Sequence, residues 1–536
     1  MALVALTVDA GAATHPISPY IYGLNFATES FAREIDLPLR RWGGNNTTRH
    51  NWQSNATNHA SDWFFHNDLH YDDYTGLAET ADQWIARNQS TGTESLITMP
   101  MAGFLAKNGD PFTYAFSIKE YGAQTDDDGP DGFPDCGNGV LLSGAYVIND
   151  PTDTSFAADE SYATSWMDHL VTNFGPASAG GVRFIALDNE PGLWHETHRD
   201  IHPAPFTYDE SFDKGTRFAG AVKAKDPDVL IFGPVQDGWA RYFYASESAL
   251  APEAVTDRRN HGDVDFVPWY LQQMSGYEQF NGVRLLDFLD LHFYPQNGED
   301  QTLAGDSAKQ ALRLRSTAAL WDASYVDESW IGDNGLDGGI VRLIPRMRDW
   351  VNANYPGTRL ALTEYNWGGL EDINGALAQA DVLGIFGAEG LDAAALWNYP
   401  ARENSAGEVI KYNEFETLPG ACAFRMYRNY NGVGGKFGDL SVSANSADRG
   451  QLAVYGAQRT SDNALTVMVI NKTGGDLDAT VSIADFAPAG AGDVYRYSAA
   501  NLAAITQEPD QPIAAGGFSA SFPANSITLF VIPSAA

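Results

Sequence analysis

The sequence predicts an α/β protein: a TIM-like (β/α)8 barrel with an additional all-β sandwich domain. Three observations predict it. Eight short apolar runs rich in β-formers recur between residues 20 and 398. Segments of helical period lie between them, and strand–helix alternation repeated eight times closes most simply into a barrel. After about residue 419 the pattern changes to alternating strands separated only by Gly, Asn, Asp and Pro turns, as in a β-sandwich. With 536 residues, 44% of them hydrophobic, the chain is long enough for a large core and a second one.

In chain order, the first twenty residues hold one strand, 5–9, assigned to the sandwich. The barrel strands read as 20–26 (YIYGLNF), 38–42 (PLRRW), 95–99 (SLITM), 182–187 (VRFIAL), 229–233 (VLIFG), 288–294 (FLDLHFY), 359–365 (RLALTEY) and 393–398 (AALWN within this stretch). Residues 76–88 carry Leu77, Ala81, Trp84 and Ile85 at helical spacing. Thr207 and Glu210 have capping-box spacing and open a helix that buries Phe212, Phe218 and Val222. Ile340, Leu343, Ile344, Met347 and Trp350 mark a third stripe; Ile373, Leu377 and Leu383 mark a fourth, with Gly390 as its stop. A doubly wound open sheet is the rival, but it wants a Gly-rich turn after its first strand, and there is none. The sandwich strands read as 452–459, 465–471, 479–486, 493–498 and 527–532. The domains expected are thus 1–20 (a strand joining the sandwich), 21–418 (barrel) and 419–536 (sandwich).

Composition narrows the function. Lys+Arg total 33 against 69 Asp+Glu, a net charge of −36 that repels phosphate backbones and anionic lipid, so neither nucleic acid nor a membrane surface is an expected partner. No run of 18 apolar residues is present, and residues 1–10 lack the basic start and apolar stretch of a signal peptide. Aromatics reach 12%, with 13 Trp and 24 Tyr, and ring faces hold flat neutral molecules such as sugars. The two cysteines, Cys136 and Cys422, do not make a disulfide framework; whether they pair is open at this stage.

Barrel chemistry sits at the carboxyl ends of the strands. Two acidic residues fall there. Residues 182–191 (VRFIALDNEP) form a strand ending in Asp188-Asn189-Glu190-Pro191, and 360–367 (LALTEYNW) carries Thr363-Glu364-Tyr365. These are strands four and seven, whose carboxyl ends face each other across a barrel mouth. Glycosidic hydrolysis needs such a pair, one carboxyl to protonate the leaving oxygen and one to serve the oxocarbenium-like centre. The acid keeps its proton near neutral pH when burial or a like charge raises its pKa. The plainer alternative for either glutamate alone is a turn cap at a strand end.

Residues 41–53 (RWGGNNTTRHNWQ), 58–65 (NHASDWFF), 187–203 (LDNEPGLWHETHRDIHP) and 362–368 (LTEYNWG) closely resemble glycoside hydrolase family 44. The resemblance spans the barrel and, more loosely, the C-terminal β-domain. It implies a clan-A barrel with a β-sandwich and a retaining endo-β-1,4-glycanase of the glucanase or xyloglucanase type, some members also acting on xylan. It implies Glu190 as acid/base, Glu364 as nucleophile and Asn189 as the residue that precedes the acid/base. A polymeric substrate implies a secreted protein whose signal peptide has been removed, and nothing demands a protein partner, so a monomer is expected. The alternatives are a non-catalytic carbohydrate-binding protein and another clan-A glycosidase such as a xylanase.

Further candidates surround the predicted mouth. By resemblance, His292 and Tyr294 orient the nucleophile or line the first subsite, and Trp397 forms a platform under the sugar at the cleavage point. Arg41, Trp42 and Asn45 follow strand two, where Gly43-Gly44 allows close backbone approach; Arg41 is a candidate partner of a catalytic carboxylate. Trp63, Trp194, Trp330 and Trp367 read as loop residues and candidate stacking platforms. In 194–202 (WHETHRDIH) the zinc-protease spacing fails, because position 199 is Arg199 rather than a histidine. The acidic loop 126–135 fails the EF-hand spacing. The resemblance makes a structural calcium plausible near Asp150 and Asp153; catalysis requires no cofactor.

Overall fold

The computed structural model describes residues 4–72, 74–129, 132–246, 252–299, 303–333, 335–398, 401–403, 409–411 and 415–535. Eight parallel strands close into a barrel in chain order: β1 (Gly23–Leu24), β2 (Leu39–Trp42), β3 (Glu94–Met99), β4 (Phe184–Leu187), β5 (Leu230–Gln236), β6 (Phe288–Phe293), β7 (Arg359–Tyr365) and β8 (Ala393–Leu396). All eight fall within or beside the predicted runs. The first is shorter than expected, because Ser18 accepts from the Tyr20 amide and Pro19 opens a 3-10 turn that uses up Pro19–Tyr22.

The chain divides into two compact units, residues 39–293 with 347–363, and residues 1–38, 294–346 and 364–536. The first carries β2 to β6 and most of β7. Apart from the first residues Glu94, Leu230 and Arg359, its barrel strands are buried, which is why they read as continuous apolar runs rather than alternating ones. Phe232 pairs with Phe288 across β5 and β6 and stacks on it at 4.0 Å, and Phe184 of β4 meets Phe232 edge-on at 5.5 Å. Thr80 and Gln83 form a full capping box on helix Ala81–Thr91. Thr207 caps helix Tyr208–Lys225 from one side only, because the Glu210 carboxylate turns to His202 and Lys214.

The second unit carries β1, β8 and the β-sandwich. The N-terminal strand Val4–Asp9 pairs in parallel with Leu477–Ala484 (Leu6 opposite Val481) and antiparallel with Leu440–Ser446. Leu6, Val8, Val454, Val467, Val481, Phe518 and Phe530 fill the core between the strands. Among the described residues four strands of the sandwich sheet escape the sequence reading, the two-residue strand His15–Pro16 being one of them. Leu440–Ser446 and Gly517–Phe522 alternate apolar with small residues (Leu440, Val442, Ala444; Phe518, Ala520, Phe522), a short repeat diluted by Ser, Asn and Ala, while Asn501–Pro512 lies largely exposed and shows no apolar repeat. Residues 419–428, expected to begin the sandwich, form a helix that packs on helix Ile373–Glu389; nine of its ten residues are buried. The first C-terminal sandwich strand begins only at Leu440.

Helix Ile373–Glu389 is buried from Asn374 to Gly387 and contacts the sandwich strands as well as helix Pro419–Arg428. Its Asp381 accepts from Tyr455 (2.6 Å) and Thr317 (2.7 Å) and pairs with the Lys472 ammonium at 2.5 Å, so this buried carboxylate is fully engaged. Cys136 and Cys422 are both buried free thiols. Among the described residues no helix is long and apolar enough to cross a membrane.

Candidate active site

In the first unit the chain leaves β4 through two non-glycine residues at positive φ, Asp188 (65°) and Glu190 (45°), a costly conformation that needs outside support. The support is dense. Asp188 Oδ1 accepts from the Thr48 hydroxyl (2.6 Å) and the Asn189 amide (2.7 Å), and Oδ2 accepts from the Met101 amide. The Glu190 amide donates to Val235 O at 3.0 Å, and the Gly192 amide donates to Gln236 Oε1 at 3.2 Å. A Cβ on Gly192 would lie 2.5 Å from that oxygen, so only glycine fits.

Asn189 joins strand four to the loop after β2. Its Oδ1 accepts from Arg41 Nη2 (2.6 Å) and the Gly44 amide (3.3 Å), and its Nδ2 donates to Asn45 Oδ1 (3.3 Å). Asn45 in turn donates to both oxygens of Asp62. Arg41 is buried, and Gly43 makes room for its guanidinium, which a Cβ there would meet at 2.3 Å. Arg41 thus touches a catalytic candidate through Asn189.

Glu190 Oε1 lies 2.7 Å from His292 Nδ1. Burial, and then the Asp237 carboxylate, push the Glu190 carboxyl up to about 8, against the pull of Arg41; its side chain nevertheless keeps 14% exposure. Burial also raises Asp188, to about 6. His292 is fully buried, with Nε2 3.2 Å from Thr363 Oγ1, while the Tyr242 hydroxyl donates to its carbonyl. His292 thus touches the acid/base candidate, whereas the resemblance implied a residue that orients the nucleophile or lines the first subsite.

In the second unit Glu364, at the carboxyl end of β7, is 6% exposed and accepts from the Tyr294 hydroxyl at 3.1 Å. Tyr365 turns the other way and accepts from Gln379 at 3.0 Å. Trp397 is partly buried and meets Phe26 edge-on at 4.9 Å. Trp330 is 40% exposed, its indole donating to Gln296.

The predicted tryptophan platforms separate by burial. Trp63, at 52% exposure, and Trp330 offer ring faces to solvent. Trp194 and Trp367, expected as platforms, do not, nor does Trp42, expected as a substrate contact beside strand two; these expectations are corrected. Trp42 stacks on His70 at 3.9 Å in an aromatic cluster. Trp194 is fully buried against Phe206 and His202 with the Lys214 ammonium over its ring at 4.8 Å. Trp367 donates to Ser316 from the interior. Trp194 and Trp367 read as loop residues, yet Trp194 opens a short helix and both lie packed under other chain segments, while Trp42 ends β2.

The calcium expectation meets carboxylates already in use. Asp150 caps a 3-10 turn through the Thr152 amide (2.9 Å) and hydroxyl (2.8 Å), and Asp153 accepts from Tyr121. Among the described residues neither belongs to a group of three or more His, Cys, Asp or Glu side chains that could hold a metal ion. Residues that sequence reasoning missed are Thr363 and Asp290, behind His292, and Asp237 beside Glu190. Asp290 had a signal: it stands two places before His292 on a buried strand and so shares its face.

The chain matches the family model described as glycoside hydrolase family 44 over residues 56–297. It is 31% identical over 501 residues to endoglucanase A of Paenibacillus lautus, aligning 90% of this chain with 65% of that protein. It is similar, at 40% identity and TM-score 0.90 over 99% of both chains, to the structure of CelM2, a bifunctional glucanase-xylanase from a metagenome library. A Paenibacillus polymyxa xyloglucanase superimposes at TM-score 0.80 with 29% identity over 99% of both chains. The chain spans 34% and 65% of the lengths of two curated relatives it matches.

Proposed function

Because the chain belongs to glycoside hydrolase family 44, we propose that it is a retaining endo-β-1,4-glycanase that cuts glucan chains of the cellulose or xyloglucan type, and xylan as a second substrate. Glu364 attacks the anomeric carbon while Glu190 protonates the departing glycosidic oxygen. Glu190 then takes a proton from the water that releases the sugar from Glu364. The observation that carries this reading is the setting of Glu190 at the carboxyl end of β4, its Oε1 2.7 Å from the buried His292 ring, where burial raises its carboxyl toward an acid that stays loaded at neutral pH.

The other residues follow from that assignment. Tyr294 holds one oxygen of Glu364 at 3.1 Å, aiming the nucleophile. Asn189, fixed by Arg41 and Asn45, is placed to meet the sugar 2-OH, where contacts strengthen in the transition state. Trp63, Trp330 and Trp397 keep exposed or half-exposed rings for sugar stacking. A net charge of −36 favours neutral polymers over anionic ones. The protein works outside the cell as a monomer, since its polymeric substrate does not enter cells and the reaction uses one chain's residues. No cofactor takes part.

Proton NMR in the first minutes of cello-oligosaccharide or xyloglucan cleavage tests the mechanism. The β-anomer is expected first. Early α-anomer overturns Glu364 as nucleophile, and absence of cleavage on glucan, xyloglucan, xylan and mannan leaves a carbohydrate-binding protein as the better reading.

A further inference from the structure

Asp290 and Thr363 are fully buried, have no part in the reaction just described, and lie in line behind His292. The Thr363 amide donates to Asp290 Oδ1 at 3.1 Å and its hydroxyl donates to Oδ2 at 2.7 Å. A hydroxyl has a single hydrogen, so toward His292 Nε2, 3.2 Å away, Thr363 Oγ1 presents a lone pair. Nε2 therefore carries the ring hydrogen. In the neutral ring, Nδ1 then presents a lone pair to Glu190 Oε1 at 2.7 Å, and a contact that short needs the hydrogen of the Glu190 carboxyl between the two atoms.

We propose that Asp290 and Thr363 are positioning residues that lock His292 in its Nε2–H tautomer and thereby keep Glu190 protonated until it meets the glycosidic oxygen. The proposal rests on the assignment of Glu190 as the general acid. Its physical basis is the difference between two tautomers. With Nε2–H, loss of the Glu190 proton leaves a carboxylate facing a nitrogen lone pair, which disfavours the charged form. With Nδ1–H, the same carboxylate would gain a donor, which favours it. Other charged and titratable groups act on the pair: Asp237 and Asp62 raise Glu190, Arg41 and Arg241 lower it, Tyr242 donates to the His292 carbonyl, and Glu364 follows Thr363 in the chain. All of these are unchanged in the variants below.

Asp290→Asn is nearly isosteric but reverses the line. The side-chain amide nitrogen it introduces would donate to Thr363 Oγ1, the Thr363 hydrogen would turn to Nε2, and His292 would carry its hydrogen on Nδ1. Thr363→Val removes the hydroxyl and with it the lock; Thr363→Ser restores it. The basic limb of the kcat/KM profile on cello-oligosaccharide reports loss of the Glu190 proton. It is expected to move down by about one pH unit or more in Asp290→Asn and Thr363→Val, and to stay in place in Thr363→Ser. An unmoved limb in both of the first two overturns the proposal.

A second readout needs no turnover. Nitrogen-15 NMR of histidine-labelled protein, with His292 identified by the signal lost in His292→Gln, is expected to show the Nε2–H form in wild type and the Nδ1–H form in Asp290→Asn. An Nδ1–H ring in wild type, or an unchanged tautomer in Asp290→Asn, sinks the idea. Wild type inactive on every polymer tried would overturn the glycanase reading, while the tautomer would still be decided by the spectrum.

Discussion

Glu190 sits at φ 45° and ψ 54°, a conformation that costs a non-glycine residue on the order of 1–3 kcal/mol and that is held by hydrogen bonds to β5 and the turn behind it. The strain turns its carboxyl onto His292 and into a setting that holds the proton. A general acid works only while protonated, so activity is expected to persist through neutral pH and fall as the pH rises through about 8. An unperturbed glutamic acid would have lost its proton near 4. Glu190→Gln should lower kcat by roughly 100- to 10,000-fold and remove the basic limb; a pH series of initial rates checks both. At this scale the motif residues Asn189, Glu190 and Glu364 were legible because their neighbours in the chain form a recognisable pattern. Asp290 offered only its place on the His292 face of a buried strand, and Thr363 no signal at all, since each matters through a hydrogen bond to a residue more than seventy positions away in the chain.

Among the elements, helix Ile373–Glu389 illustrates how packing overrides propensity. Its glycine at 384 lets the Tyr455 ring lie against the helix; a Cβ there would come 2.4 Å from the ring. Alanine is the better helix former by about 1 kcal/mol, but overpacking costs about 1–3 kcal/mol, so the clash wins. Gly384→Ala is therefore expected to lower the melting temperature. Gly220→Ala, in helix Tyr208–Lys225 with nothing within 4 Å of its added Cβ, should raise it slightly. Thermal unfolding of the two variants beside wild type gives the comparison, and two shifts of the same sign would contradict the packing argument. The barrel strands were legible because burial on both faces leaves continuous apolar runs. The helix at 419–428 was missed because Pro419 reads as a breaker, whereas at the first helical position its missing N–H and fixed φ are accommodated.

Across the whole molecule, stability should depend on pH through buried histidines. His50 and His70 lie in the aromatic cluster around Trp42, and neither ring nitrogen of His50 has a hydrogen-bond partner. Burial lowers His50 to about 3 and His70 to about 4, against 6.5 for an exposed histidine. Below 6.5 the unfolded chain therefore binds protons that the folded chain does not. Their stabilising contribution is complete above 6.5 and is lost as the pH falls toward 3–4. The melting temperature is expected to drop between pH 7 and pH 4, with a shallower slope in His50→Gln; an identical slope in that variant would remove His50 from the account.

The amino-acid sequence alone pointed to the barrel, the sandwich that follows it, the family and the two glutamates as candidates, because periodicity and short motifs are local and survive being read one residue after another. Tertiary structure alone decided which tryptophans face solvent, which oxygen His292 touches and what holds its ring. Burial, donor direction and proton affinity depend on groups brought together from distant parts of the chain: Trp194 reads like Trp63 in sequence, yet one is fully buried and the other is 52% exposed.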